Sequence, residues 1–384
     1  MKKLIFRKFA KDVFQFFLLL SISFSLIVWV IQAVNYLDIV TEDGHGFKVY
    51  FLYTLLSLPK IFSKILPFIY FVSLFYIILK YENENELIIF WTIGIKKIDF
   101  VKVLLKFSFF YLMLQLIFTT YFVPMSLDKA RSYIRSSNVD LFSSLIQEKK
   151  FIDAVKNLTI FVEKKDRNGN LKNIFLKEKI GKKEYQTIIA KEGKLIKSNS
   201  KSSLILFDGK IINNNDQTIN SFKFTKTEIN LSRFGTNTTT YPKIQEVKSS
   251  DILSCIIKLK NINNNFILNF FKNDKLLKNC IPENLDDTFQ EVFKRFISPL
   301  YLITLSLIAC LIIIKSKDDY QYLKYKFILF ILGVFAIIIS ETSIKYSSEN
   351  TFNNFYILSL PLLLVIAIYL YLNTKLKKTN LINQ

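Results

Sequence analysis

Residues 13 to 34, VFQFFLLLSISFSLIVWVIQAV, carry no charged side chain from end to end. A hydrocarbon core about 30 Å thick takes roughly 20 apolar residues in helix to cross, and a backbone in lipid must satisfy its own hydrogen bonds. The run therefore predicts a membrane-spanning helix. Five more follow, at residues 50 to 79, 103 to 123, 296 to 314, 327 to 343 and 355 to 373. The second is interrupted only by Lys60 and Lys64, between Pro59 and Pro67. The first run is too long for a cleaved signal peptide and lacks a small-residue cleavage site, so it is expected to stay as a span.

Charge orders these spans. Lys2, Lys3, Arg7, Lys8 and Lys11 precede the first; Lys96, Lys97, Lys102 and Lys106 lie between the second and third. Lys315, Lys317, Lys324 and Lys326 lie between the fourth and fifth, and Lys375, Lys377 and Lys378 follow the sixth. The loops on the other face hold only Lys48 and Lys345. A lysine and arginine surplus marks the cytoplasmic side, which predicts a multi-pass inner-membrane chain with both termini cytoplasmic and residues 124 to 290 outside, in the periplasm. The net charge of +21 fits span flanks plus a soluble part, and no nucleic-acid partner is expected.

The outer segment changes character, with short alternating runs in place of long apolar ones. LTIFVEKKD (158 to 166) precedes the turn signal Asn168-Gly169, and Asp208-Gly209 in SLILFDGKII is a hairpin dipeptide. About ten short strands in an antiparallel sandwich or half-open roll are expected. Residues 125 to 150 read as helix, and 250 to 290 as helical or irregular. Three parts result: 1 to 123 with three spans and an acidic-led segment at 82 to 97, the β part at 124 to 290, and 291 to 384 with three spans and a tail.

Catalytic chemistry is not in view. The one histidine, His45, reads as a solvated loop residue, with no second imidazole to share a metal. Cys310 sits in a span as a small apolar residue; Cys255 and Cys280 either pair or stand apart, since their spacing compels neither. No G-x-x-x-x-G-K-[ST] occurs, so a nucleotide would be hydrolysed on another chain.

The charges that are present say more. An ammonium at membrane depth costs a few kcal/mol, and Lys60 and Lys64, four apart, share one helical face. They either meet an anion in a cavity or snorkel to the headgroups. Lys129, Arg131, Arg135, Lys294 and Arg295 extend a positive rim suited to a ligand with acidic head groups and an apolar body. Glu291 and Arg295, at i and i+4, read as an ion pair. On the cytoplasmic side, YENENELIIFWTIGIKK (81 to 97) puts Glu82, Glu84 and Glu86 ahead of a short helix with Leu87, Ile88, Trp91 and Ile95 on one face and a stop near Gly94. Carboxylates suit the positive end of a helix and offer a basic partner a docking point. The alternative is a helix resting on lipid, against which the negative lead argues, because the inner leaflet is anionic.

Over nearly its whole length the chain resembles the LptF/LptG (YjgP/YjgQ) permeases of the lipopolysaccharide export transporter. The resemblance runs through IFRKFAKDVFQFFLL, VWVIQAVNYLDIV, the paired prolines of LPKIFSKILPF, ENELIIFWTIGIKK, LIQEKKF and EVFKRFISPL. The Gln32 to Asp38 segment and LIQEKKF are closer to the LptF branch. It implies a membrane α-helical fold of six transmembrane helices with an inserted periplasmic all-β jellyroll domain. It also implies an ABC transporter with an LptG-like permease subunit, two copies of an LptB-like cytoplasmic ATPase and a single-span LptC-like protein; ATP and Mg would sit on the ATPase and no cofactor on this chain. Glu84, Glu86, Leu87, Trp91 and Gly94 fall on the family's coupling helix. Lipopolysaccharide would enter from the outer leaflet, its phosphates held by basic residues at the cavity rim. One departure stands out: where the family often has a basic residue near the outer end of the first span, this chain has Gln32 and Asn35. Competing readings are a membrane-anchored periplasmic binding scaffold or sensor without transport, a lipoprotein-extracting permease, and an intramembrane enzyme.

Overall fold

The computed structural model describes residues 2–41, 46–137, 146–155, 158–166, 169–179, 184–198, 201–215, 218–230, 243–259, 284–347 and 351–382. Among them, six helices are long and apolar enough to cross a membrane: Lys2–Val40, Phe47–Asn83, Lys97–Ile134, Leu285–Ile314, Tyr322–Lys345 and Asn354–Leu376. The expected six spans lie within these bounds. By contacts the chain divides into a helical unit (Met1–Val30, Ser57–Asp128, Lys243–Gln384) and a second unit (Ile31–Leu56, Lys129–Pro242).

The first spans are built from α1 (Lys2–Asn35), a short α2 (Asp38–Thr41), α3 (Phe47–Leu56), α4 (Leu58–Asn83), α5 (Glu86–Thr92) and α6 (Lys97–Ile117). A π-helical turn at Phe118–Phe122 leads from α6 into α7 (Val123–Ser137). After the β unit come a 3-10 turn at Ile244–Glu246, α8 (Ser249–Leu259), α9 (Leu285–Phe296), α10 (Tyr301–Cys310), α11 (Tyr322–Lys345) and α12 (Thr351–Ile382). Pro299 breaks the chain between α9 and α10 into a 3-10 turn, Ser298–Leu300.

Within the helical unit α10 is central: Tyr301, Leu302 and every residue from Thr304 to Cys310 are buried. A helix buried all round has neighbours on all sides; its hydroxyls bond their own backbone, as Thr304 Oγ1 does to Tyr301 O at 2.6 Å. By contrast α1 leaves Leu19, Ile22, Ile27 and Ile31 exposed, and α11 leaves Phe327, Ile331, Phe335 and Ile338 exposed. Exposed apolar faces of this kind suit a lipid surround.

In the second unit six strands, β1 (Phe151–Val155), β2 (Leu158–Lys165), β3 (Asn170–Lys179), β4 (Tyr185–Ser198), β5 (Lys201–Asn215) and β6 (Thr218–Asn230), form one antiparallel sheet in sequence order. About ten short strands were expected; among the described residues six longer ones are found. The reason is a row of aligned kinks. In β3 the buried positions run Leu171, Ile174, Leu176, in β4 Ile188, Ala190, Gly193, so each strand gains a residue where strict alternation would put a buried side chain in water. The ladder loses one pair at the same level in four strand pairs, with the register unchanged on either side: between Val162 and Lys164, between Lys172 and Ile174, between Ala190 and Glu192, and between Phe207 and Gly209. What reads as two short strands is one kinked strand.

Asp208-Gly209 is accordingly not a hairpin turn. Asp208 adopts a positive φ of 47° inside β5, and β4 and β6 pair with β5 on both sides of it. Gly209 is required there, because a Cβ would stand 2.4 Å from Ile189 O and 2.3 Å from the Phe224 ring. The turn after β2 is where it was expected: Gly169 N donates to Asp166 O at 3.0 Å, while Asn168 lies outside the described residues. Of the helix expected over 125 to 150, Val123–Ser137 is found, and 138–145 lie outside the described residues; Ile146 to Lys150 run instead beside β2, with Glu148 bridged to Val162 and Ile146 in the sheet's core.

Candidate functional site

At the start of α4, Lys60 and Lys64 border a cavity of about 60 Å³ together with Glu291, Lys294, Arg295 and Glu341. That volume admits roughly four water-sized groups, which suits a headgroup phosphate and not an acyl chain. Four cations against two carboxylates leave the site positive. Pro67 shapes its wall. Having no N–H, it cannot donate to the carbonyl four residues earlier, and the side-chain amide of Gln115 from α6 takes that place, donating to Ser63 O at 2.9 Å. Gln115 Oε1 is left buried with no hydrogen-bond partner among the described residues.

The four sequence-expected cations here differ in their commitments. Among the described residues Lys60 and Lys64 have no carboxylate within ion-pair distance, whereas Lys294 Nζ lies 3.7 Å from Glu291. Arg295 is 2% exposed, and all its N–H groups are engaged: Nε with Glu291 at 2.9 Å, and the terminal nitrogens with Val247 O, Ser249 Oγ, Ile244 O and Gln245 O at 2.9 to 3.5 Å. No donor is left for a phosphate. Arg295 instead ties α9 to the segment entering α8, and the knot reaches the π turn, where Thr119 Oγ1 donates to Arg295 O at 2.9 Å and Ser249 Oγ to Thr120 O at 2.8 Å. Lys129, exposed, and Arg131, buried, belong to α7 in the second unit; the Arg135 side chain lies outside those described, as do His45 and Cys280. Cys255 is disulfide-bonded, and Cys310 is free and buried.

The other end of α4 carries the acidic-led segment, about 33 Å from Lys60 to Glu82 at 1.5 Å per residue. Asn85, with φ 60°, turns the chain into α5. Gly94, at φ 75°, stops it in a Schellman cap: Ile95 N donates to Phe90 O and Gly94 N to Trp91 O, both at 3.0 Å. Leu87, Phe90 and Ile95 form the buried face, Phe90 packing on Phe6 and Phe100 with ring centroids 5.4 and 5.3 Å away. Phe90 thus replaces Ile88 in the expected face; Ile88 and Ile89 are 52% and 48% exposed. Trp91 is half-buried, with Lys97 Nζ 5.8 Å from its ring.

The three carboxylates have separate partners. Glu82 accepts from Lys317 N at 3.3 Å, Glu84 faces Lys80 at 4.0 Å, and Glu86 pairs with Lys8 of α1 at 3.1 Å. Asn85 Oδ1 accepts from Lys317 Nζ. Asn85, Gln115 and Lys317 escaped sequence reasoning because their partners lie far away in sequence. Pro67 was the one available signal, since a proline inside a span orphans a carbonyl.

On one face of the β unit a hollow of about 950 Å³ holds Phe161, Phe175 and Ile189 beside Lys210 and Lys223. These five residues pair directly across five strands. Phe151 extends the row, its ring 4.7 Å from Phe161. The row is aromatic at the β1 side and cationic at the β6 side. No group of three or more His, Cys, Asp or Glu able to hold a metal occurs among the described residues.

The family model described as lipopolysaccharide export system permease LptF/LptG matches residues 7–375. An uncharacterized protein, RP871, of Rickettsia prowazekii (strain Madrid E) is 29% identical over 173 residues, which cover 44% of this chain and 47% of that relative. The match thus spans less than half of the relative's length.

Proposed function

Since the chain belongs to the LptF/LptG family of lipopolysaccharide export permeases, we propose that it is one of the two permease subunits of an ABC transporter that extracts lipopolysaccharide from the outer leaflet of the inner membrane and passes it to a periplasmic bridge. Its termini are cytoplasmic and its β unit periplasmic, in keeping with the lysine-rich loops. An LptG-like chain completes the membrane part, an LptB-like ATPase dimer hydrolyses ATP with Mg, and an LptC-like protein receives the lipid. The observation that carries this reading is the division of α4: a positive, phosphate-sized cavity at one end and an acidic-led helix at the other, on a chain with no P-loop. Closure of the ATPase dimer displaces α5, and α4 transmits the movement to the cavity. There Lys60 and Lys64, with Lys294 beside them, hold an anionic head group. The β-unit row, apolar at one side and basic at the other, suits the same amphiphile after release.

Two charge reversals test the two ends. Glu84→Arg with Glu86→Arg should abolish copurification with the ATPase while leaving membrane insertion intact; retained binding with unchanged lipid release from vesicles overturns the coupling role. Lys60→Asp with Lys64→Asp should weaken photo-crosslinking of lipopolysaccharide to the cavity at least tenfold. Unaltered crosslinking would assign both lysines to snorkelling.

A further inference from the structure

We propose that the loop Lys315–Gln321 is a second half of the surface on which the cytoplasmic ATPase docks, with Tyr320 as its anchor; this rests on reading α5 as the coupling helix. Tyr320 is 99% exposed. A tyrosine left wholly in water forgoes the burial of 150 to 250 Å² that makes aromatic side chains dominate interfaces, and tyrosine is enriched among the residues that carry binding energy.

The loop that presents it is held in shape. Lys315 Nζ lies 3.4 Å from Asp319 and 5.5 Å from the Tyr325 ring centroid. Asp319 Oδ1 accepts from Gln321 N at 3.0 Å, Asp319 O accepts from Tyr322 N at 2.9 Å, and Asp319 N donates to Ser316 O at 3.1 Å. Such a loop loses little freedom when covered, which is the advantage of preorganisation.

Its place beside α5 names the occupant. Lys317 donates through its backbone to Glu82 and through its ammonium to Asn85, the residues that open the α4–α5 elbow. Just beyond the elbow, Lys97 Nζ donates to Ile313 O at 3.1 Å. The loop and the coupling helix therefore form one continuous surface, with Ile88 and Ile89 exposed on one part and Tyr320 on the other. Asp318 and Asp319, just ahead of Tyr320, offset Lys315 and Lys317, so the loop carries no net positive charge to draw it onto an anionic leaflet, and its hydrogen bonds to the elbow join it to the surface that Glu84 and Glu86 offer a basic partner.

The test uses the assembled complex. Tyr320→Ala should weaken association with the ATPase about tenfold, Tyr320→Phe should restore most of it, and a benzophenone side chain at position 320 should crosslink to the ATPase. Crosslinks to phospholipid alone, or full affinity in Tyr320→Ala, overturn the proposal. If Glu84→Arg with Glu86→Arg still abolishes binding in that case, the coupling role of α5 stands and only the second half falls. If those reversals too leave the ATPase bound, the reading of α5 itself has failed.

Discussion

Single atoms decide the character of the cavity. Pro67 strips the Ser63 carbonyl of its helical donor and Gln115 supplies another, so the two residues form a functional pair although 48 positions separate them. Gln115→Leu should leave that carbonyl buried and unpaired, costing about 1–3 kcal/mol. Pro67→Ala in the same chain returns a backbone N–H and should recover most of the loss, by thermal unfolding in detergent. A double variant no more stable than Gln115→Leu alone would show that the amide does something other than replace the missing donor. Arg295 makes the complementary point: a guanidinium inside a membrane helix is easily read as a ligand for anions, yet its donors are all taken by the protein. The residues free to meet a phosphate are the less conspicuous Lys60 and Lys64.

At the level of elements, kinks do the shaping. The aligned kinks of β3, β4 and β5 let each strand keep its apolar residues inward on both sides of a bend. Gly209→Ala meets backbone at 2.4 Å as well as a ring, so neither side can yield cheaply; the variant should be destabilised by about 1–3 kcal/mol, read as faster proteolysis within residues 151 to 230. Proteolysis at the rate of the parent chain would mean the kink accommodates a methyl group. The spans were legible because twenty apolar residues in a row have few other uses, and α5 because its carboxylates and Gly94 carry helix-end signals. The long strands were not. Asp-Gly supplies a positive φ, and whether this makes a turn or a kink within a strand is settled by the strands pairing on either side, which local sequence does not record. The tie from Lys317 to Glu82 was invisible for the same reason, 235 residues separating its ends.

For the molecule as a whole, the proposed function asks of this chain a place to hold an anion and a place to be pushed, and its sequence carries no P-loop. Reconstituted alone in vesicles it should release no lipopolysaccharide to a periplasmic acceptor, and ATP should make no difference. Release by the lone chain would remove the need for an outside motor and the proposed function with it. Finally, the Lys8–Glu86 contact bears on how that motor lets go. Because Glu86 already has a cation 3.1 Å away on an exposed surface, a visiting lysine or arginine only swaps one weak ion pair for another. Under the proposed function, docking strength must then come from the bare isoleucines and Tyr320 nearby, and the electrostatic half of the grip can be released at every stroke with almost no barrier.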